Sequence, residues 1–218
     1  MYERSKMAER LSADANWWQS REMRPHLIKS ISRFNEARVY SEKNAEIEAC
    51  ETIFEGLDEL RAGVEAYQNR EDGDLETLLD DLVAHGDQID LPFLWGLIER
   101  LFGHPANRLA IYGTLKRGGH NHRIIEHIAG EWMEGFVCGR IEEYYGFPFF
   151  VWDEGGDKFP VEVLSSSELC ESWERIDRFE GIWYHRNLIP VNDSADNILF
   201  IANIYCKSGM MYNPGLLQ

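Results

Sequence analysis

The chain has 218 residues, 44% of them hydrophobic, so it can bury a core as one large domain or two small ones and is not a disordered polymer. Thirty-eight acidic residues against 22 basic ones give a formal net charge of −16. That balance argues against broad binding to nucleic acid or to an anionic membrane surface, both of which need a basic face. A small anion held by a local site stays compatible with it.

The N-terminal stretch Met1-Tyr2-Glu3-Arg4-Ser5-Lys6 is polar and lacks the apolar centre of a signal peptide. No apolar run approaches the length that spans a bilayer. Cys50, Cys138, Cys170 and Cys206 are widely spaced, with no Cys-x-x-Cys pair and no Cys/His cluster, so no structural metal is expected. A reducing, cytoplasmic setting is the expectation.

Residues 1–102 read as helical. The aromatic pair Trp17-Trp18 suits core packing or docking on a neighbour. Ile53, Leu57, Leu60, Val64 and Tyr67 follow a 4-3-4-3 spacing, which puts them on one helix face. Asp74 precedes Leu75, Leu78, Leu79 and Leu82 as a helix cap would. Asp90 precedes Pro92 and the run Leu94-Trp95-Gly96-Leu97-Ile98, and proline fits a first turn. From Ser41 to Glu99 there are seventeen acids against three bases. This reads as a solvated helix face, or as a surface for a protein partner or for self-association. The run Gly103-His104-Pro105-Ala106-Asn107 breaks the helical pattern. It sets the expected boundary between a helical domain, 1–104, and a second domain, 105–218.

The second domain predicts short, aromatic-rich strands at Arg108–Leu115, Trp132–Glu143, Phe147–Trp152, Phe159–Leu164, Arg186–Asn192 and Leu199–Cys206. Two helices interrupt them, Asn121–Ala129 and one that opens with Ser165-Ser166-Ser167-Glu168, a capping-box pattern, and runs to about Arg178. The expected class is α+β, with the helical segment followed by a small, closed or strongly curved mixed sheet.

Two places in this domain suggest chemistry. The apolar run Leu109-Ala110-Ile111-Tyr112 stops at Gly113, followed by Thr114, Leu115, Lys116, Arg117 and Gly118. A strand that ends in such a turn leaves backbone N–H groups without ladder partners, and those groups bind anions. The GxxxxGK[ST] spacing of a phosphate loop is absent. His120 and His122 flank an asparagine without a matched acid or cysteine, so no metal is expected there. On the last helix, Leu169, Trp173 and Ile176 define an apolar stripe whose next position is Glu180. A carboxyl placed where leucine belongs is pushed toward its protonated form and suits a general acid or base. The opposing readings are that Gly181 ends the helix early and turns Glu180 to water, or that Glu180 pairs with Arg178 or Arg186. Asp177, three residues earlier, reads as a surface acid or as the second member of a carboxyl pair. Cys138 and Cys206 fall in strand patterns and read as core thiols.

Together these residues resemble a known family. Tyr112-Gly113-Thr114-Leu115-Lys116-Arg117-Gly118 with Asn121-His122-Arg123 resembles the first-strand motif of gamma-glutamylcyclotransferase-like proteins, closest to the gamma-glutamylamine cyclotransferase branch. Gly146-Phe147-Pro148 is similar to the family's glycine-aromatic-proline turn. Ile176-Asp177-Arg178-Phe179-Glu180-Gly181, with Tyr184-His185-Arg186 after it, is similar to its aspartate-x-x-glutamate helix end. The resemblance covers the C-terminal half of the chain.

It implies a small barrel-like sheet with packed helices and a reaction that needs no cofactor or metal. The α-amino group of a γ-glutamyl amine or peptide attacks its own γ-carbonyl, 5-oxoproline forms and the amine leaves. It implies Glu180 as the acid/base. Substrate contacts fall to Tyr112, Gly113, Thr114 and Leu115, with Tyr184 as a wall and Arg186 as an orienting charge. The strand Phe159-Pro160-Val161-Glu162-Val163-Leu164 departs from the glycine-glutamate pair of many relatives. Tyr205 and Tyr212 both remain candidates for the aromatic that closes the pocket. The competing reading is a non-catalytic binding module that keeps the pocket, with the acidic helical segment as its interaction surface.

Overall fold

Helix α1 (Arg24–Glu42) has Pro25 in its first turn, where the missing N–H costs nothing. Its Leu27, Ile31 and Phe34 recur at helical spacing and are fully buried. They meet α2 (Glu46–Tyr67), where Ile53, Leu57, Leu60 and Val64 form the buried face that the 4-3-4 spacing predicts. The two helices cross closely at Gly56, where a Cβ would lie 2.6 Å from Phe34 Cε1. Helix α3 (Leu91–Leu101) is capped by Asp90, whose carboxylate accepts from Phe93 N at 2.9 Å. These helices belong to the first of two units of the chain, Met1–His104, and the second is Pro105–Gln218. The computed structural model describes residues 21–67, 89–144 and 146–207. The Trp17-Trp18 pair, the segment from Asp74 to Leu82, and Tyr212 lie outside them.

The second unit carries six strands: β1 (Arg108–Ile111), β2 (Glu131–Tyr144), β3 (Phe147–Trp152), β4 (Asp157–Ser165), β5 (Tyr184–Asn192) and β6 (Ile198–Lys207). Their order is β3-β2-β4-β1-β6-β5, and a further pairing of β5 with β2 at Phe136 and Asn192 closes the sheet. Five strands thus form a mixed barrel and β3 is an addition to its rim. The β1–β6 pair is parallel and the other pairs are antiparallel. Strand β2 leaves β4 and takes up β3 at Gly139, which pairs with both Asp157 and Trp152. A Cβ there would meet Val151 O and Phe150 Cζ at 2.5 Å, so only glycine lets three strands meet.

The strands are apolar on both faces because each faces its own core. Ala110, Val163, Ile204 and Cys206 fill the barrel interior. Their chain neighbours Leu109, Ile111, Leu164 and Tyr205 turn outward against helix α4 (Leu169–Glu180) and its Leu169, Trp173 and Ile176. This two-sided alternation registers α4 on the barrel and carries its last residue to the C-terminal end of β1.

Two local expectations give way. The stretch expected as a helix at Asn121–Ala129 holds only a 3-10 turn, His122–Ile124, followed by further turns. Outside residues hold the segment's flanks: His122 Nδ1 pairs with Leu115 O at 2.9 Å, and Arg175 donates to Ile124 O at 2.7 Å. The capping box at Ser165–Glu168 does not form. Glu168 instead accepts from Ala129 N at 3.1 Å, and Ser166 Oγ accepts from Glu168 N.

Candidate active site

Strand β1 stops at Ile111 because the chain turns through Gly113 and folds back on itself. Asn121 holds that turn twice: its N–H donates to Thr114 O and its amide Nδ2 to Thr114 Oγ1, both at 3.0 Å. Gly118 sits at φ +74°, and a Cβ on Gly119 would lie 2.3 Å from Thr114 O. Both glycines therefore serve the tight return. Among the described residues, none accepts a hydrogen bond from the N–H groups of Gly113, Thr114 or Leu115. A Cβ at Gly113 would meet nothing within 4 Å. The cations that follow point elsewhere. Lys116 donates to Pro160 O at 3.2 Å, and Arg117 pairs with Glu162 through its backbone N at 2.8 Å and its guanidinium at 3.4 Å. Any anion at this turn is thus met by amides and a hydroxyl rather than by lysine or arginine.

Above the turn lies a cavity of about 540 Å³. Tyr112, Gly113, Thr114 and Leu115 border it, as do Asn121, Glu180, Tyr184 and Tyr205. Helix α4 reaches Glu180 before Gly181 ends it at φ +69°, a left-handed conformation that glycine adopts without penalty. Glu180 is half-buried and faces the cavity.

The alternative salt bridges are taken by other acids. Arg178 binds Glu174 at 2.7 Å, and Arg186 binds Asp177 at 3.5 Å. No described residue donates a hydrogen bond to the Glu180 carboxyl. Burial is the main force on it and the negative charge of Asp177 the second, and together they push its pKa up to about 7.

Three phenols feel this carboxyl. Burial holds Tyr112, Tyr184 and Tyr205 above the ordinary tyrosine value, and the Glu180 charge adds to each shift. All three therefore stay protonated at neutral pH. Tyr112 Oη accepts from Phe150 N at 3.3 Å, so its own hydrogen is available to a ligand. Tyr184 donates to Pro148 O at 3.2 Å and stacks on Phe149 with centroids 4.7 Å apart. Tyr205 donates to Asp177 Oδ1 at 2.5 Å. Asp177 is thus the hub of a triad with Tyr205 and Arg186, and that triad flanks the helix end carrying Glu180.

Six of the seven residues singled out in the sequence line the cavity. Arg186 does not: its guanidinium lies 4.2 Å from the Trp173 ring centroid and reaches Asp177. The sequence reading missed Asn121, which holds the turn, and Phe179 and Trp183 at the mouth. Asn121 could have been found from its place in the same motif as Gly113. The mouth residues carry no pattern in sequence, since an exposed aromatic looks like any other.

Residues 109–214 match the family model for gamma-glutamyl cyclotransferase, AIG2-like. The C-terminal unit belongs to this family. Comparison with curated proteins gives no match. Among solved structures, an uncharacterized protein of Pyrococcus horikoshii is similar at 26% identity, over 46% of this chain and 76% of its own, with a TM-score of 0.34. YkqA of Bacillus subtilis is also 26% identical, over 46% of this chain and 35% of its own, with a TM-score of 0.38. An AIG2-like protein of Mus musculus is 22% identical, over 50% of this chain and 80% of its own, with a TM-score of 0.35. The cavity, the turn after β1 and Glu180 all fall within the matched residues.

Proposed function

We propose that this protein is a cyclotransferase that releases 5-oxoproline and a free amine from a γ-glutamyl amine or γ-glutamyl peptide. The observation that carries the reading is Glu180: a half-buried carboxyl to which no described residue donates a hydrogen bond, facing a cavity that also opens on a turn whose N–H groups have no acceptor among the described residues. In this reading the α-carboxylate of the substrate accepts from the N–H groups of Gly113–Leu115 and from the Thr114 hydroxyl. That places the α-ammonium near Glu180.

The ionised Glu180 takes one proton from the ammonium, and the freed amine attacks the γ-carbonyl. A carbon–nitrogen bond forms and the carbonyl becomes a tetrahedral oxyanion. Glu180 hands that proton to the nitrogen of the leaving amine, the carbon–nitrogen bond to it breaks and the carbonyl re-forms. Ionised again, Glu180 takes the second proton from the new ring nitrogen and passes it to the released amine. Two protons leave one nitrogen and two arrive at the other, so one shuttling carboxyl suffices. Tyr112, protonated and with its hydrogen available, is suited to the oxyanion. Once the substrate is held, the attack is unimolecular, and alignment is worth an effective molarity of about 10⁵ M or more.

Glu180→Gln keeps the shape and removes the proton carrier. Its rate of 5-oxoproline release from a panel of γ-glutamyl-lysine, γ-glutamyl dipeptides and γ-glutamyl alkyl and benzyl amides is expected to drop about 10²-fold or more for every amide that the parent protein turns over. Full activity in the variant, or no product from the whole panel with the parent protein, would sink the proposal.

A further inference from the structure

The mouth of the cavity differs from its floor. Phe147 is 63% exposed, Phe179 39% and Trp183 37%. They come from two places, the start of β3 and the end of α4 with the turn after it, and they line the same cavity. Pro148 lines the cavity with them, and Ile182, the chain neighbour of Trp183, is 77% exposed. Large apolar side chains left in water on both sides of one opening mark a place where an apolar ligand is covered.

Charge points the same way. Of the sixteen described residues around the cavity, Glu180 is the only one with a charged side chain. Cations of the same unit are bound to other groups: Arg117 to Glu162, Arg186 to Asp177, and Lys207 to Glu142 at 2.6 Å. An amino-acid leaving group brings its own carboxylate and ammonium. In this mouth both would lose water without meeting a counter-charge, which is costly.

We propose that the amine portion of the substrate is apolar, an aryl-alkyl or alkyl amine seated between Phe147 and the Phe179–Trp183 edge. This rests on the cyclotransferase reading for its chemistry, while the recognition itself is a matter of binding. The glutamyl end is held by the turn after β1, and the amine end is held by aromatic faces.

The test uses the full chain and three amides: γ-glutamyl-benzylamide, γ-glutamyl-butylamide and the ε-lysine isopeptide, of which the last two match in leaving-amine basicity. The butylamide and the benzylamide are both expected to exceed the isopeptide in kcat/KM, the benzylamide by about tenfold or more. Phe147→Ser and Trp183→Ser are expected to bring that ratio toward one. A ratio at or below one in the parent protein overturns the apolar mouth and leaves the cyclotransferase reading standing. Calorimetry on Glu180→Gln separates the two ideas from the other side. Selective binding of the benzylamide by the variant, with no turnover of any amide by the parent protein, keeps the mouth and sinks the reaction. Equal or absent binding of benzylamide and isopeptide sinks the mouth.

Discussion

At Glu180 the cost of burying a charge and the repulsion from Asp177 act in the same direction, and no donor among the described residues opposes them. A carboxyl that titrates near 7 exchanges protons in either direction at neutral pH, which a shuttle requires. Activity is therefore expected to fall below pH 7 as Glu180 takes up a proton. Asp177→Asn removes the neighbouring negative charge, so the acid limb of the kcat/KM profile should move to lower pH. A change in plateau height alone, with the limb unmoved, would assign Asp177 a structural role only.

The same shift has a consequence for stability. The folded protein keeps the Glu180 proton to about pH 7, whereas the unfolded chain releases it near the ordinary value of 4.5. Between those values the unfolded state binds fewer protons, so stability declines as pH rises through the window. A shift of this size is worth about 3 kcal/mol in full. Water reaches a half-buried carboxyl and screens part of it, so about 1–2 kcal/mol is expected. Glu180→Gln should accordingly be more stable than the parent protein at pH 8 and indistinguishable from it near pH 4, as measured by urea unfolding. A variant that is less stable at pH 8 would contradict the assignment.

At the scale of elements, α4 aims the carboxyl. Leu169, Trp173 and Ile176 lock its face, and the Trp173 indole N–H donates to Ala106 O at 3.0 Å. Gly181 then ends the helix at φ +69° and ψ −170°, a region almost confined to glycine that costs other residues about 1–3 kcal/mol. Gly181→Ala is expected to lower stability by about that amount and to reduce kcat more than thermal stability alone would explain, because Glu180 is re-aimed. Retained kcat would show that the helix end tolerates both backbones.

The stripe that ends in Glu180 was legible because helix periodicity is local. So were the six strands, each marked by a run of β-branched or aromatic residues. The closure of the barrel was not. It depends on Phe136 meeting Asn192, and on Gly135, where a Cβ would lie 2.4 Å from Val191 Cγ1. Neither residue signals its partner in sequence. The capping box at Ser165 misled for a similar reason, since a distant N–H, that of Ala129, claimed the Glu168 carboxylate. The Asp177 hub was half legible: the spacing to Glu180 was plain, but the phenol that binds it comes from β6.

For the whole molecule, every described residue of the cavity belongs to the unit Pro105–Gln218. Residues 105–218 expressed alone are therefore expected to retain cyclotransferase activity, with kcat/KM within about threefold of the full chain, a difference of less than 1 kcal/mol. Loss of activity in a fragment that still folds by circular dichroism would give the helical unit a part in the reaction.

Strand β3 pairs with β2 alone among the described residues, whereas Glu180 and the turn after β1 are held by the barrel and α4. The wall formed by Phe147, Pro148 and Phe149 thus hangs on a hairpin outside the closed ring of strands. The strand is nevertheless anchored in the ring: Phe150 is buried in the barrel core and its N–H reaches Tyr112 Oη. A change in the length of β3 would therefore be felt at the phenol beside Glu180 as well as at the wall.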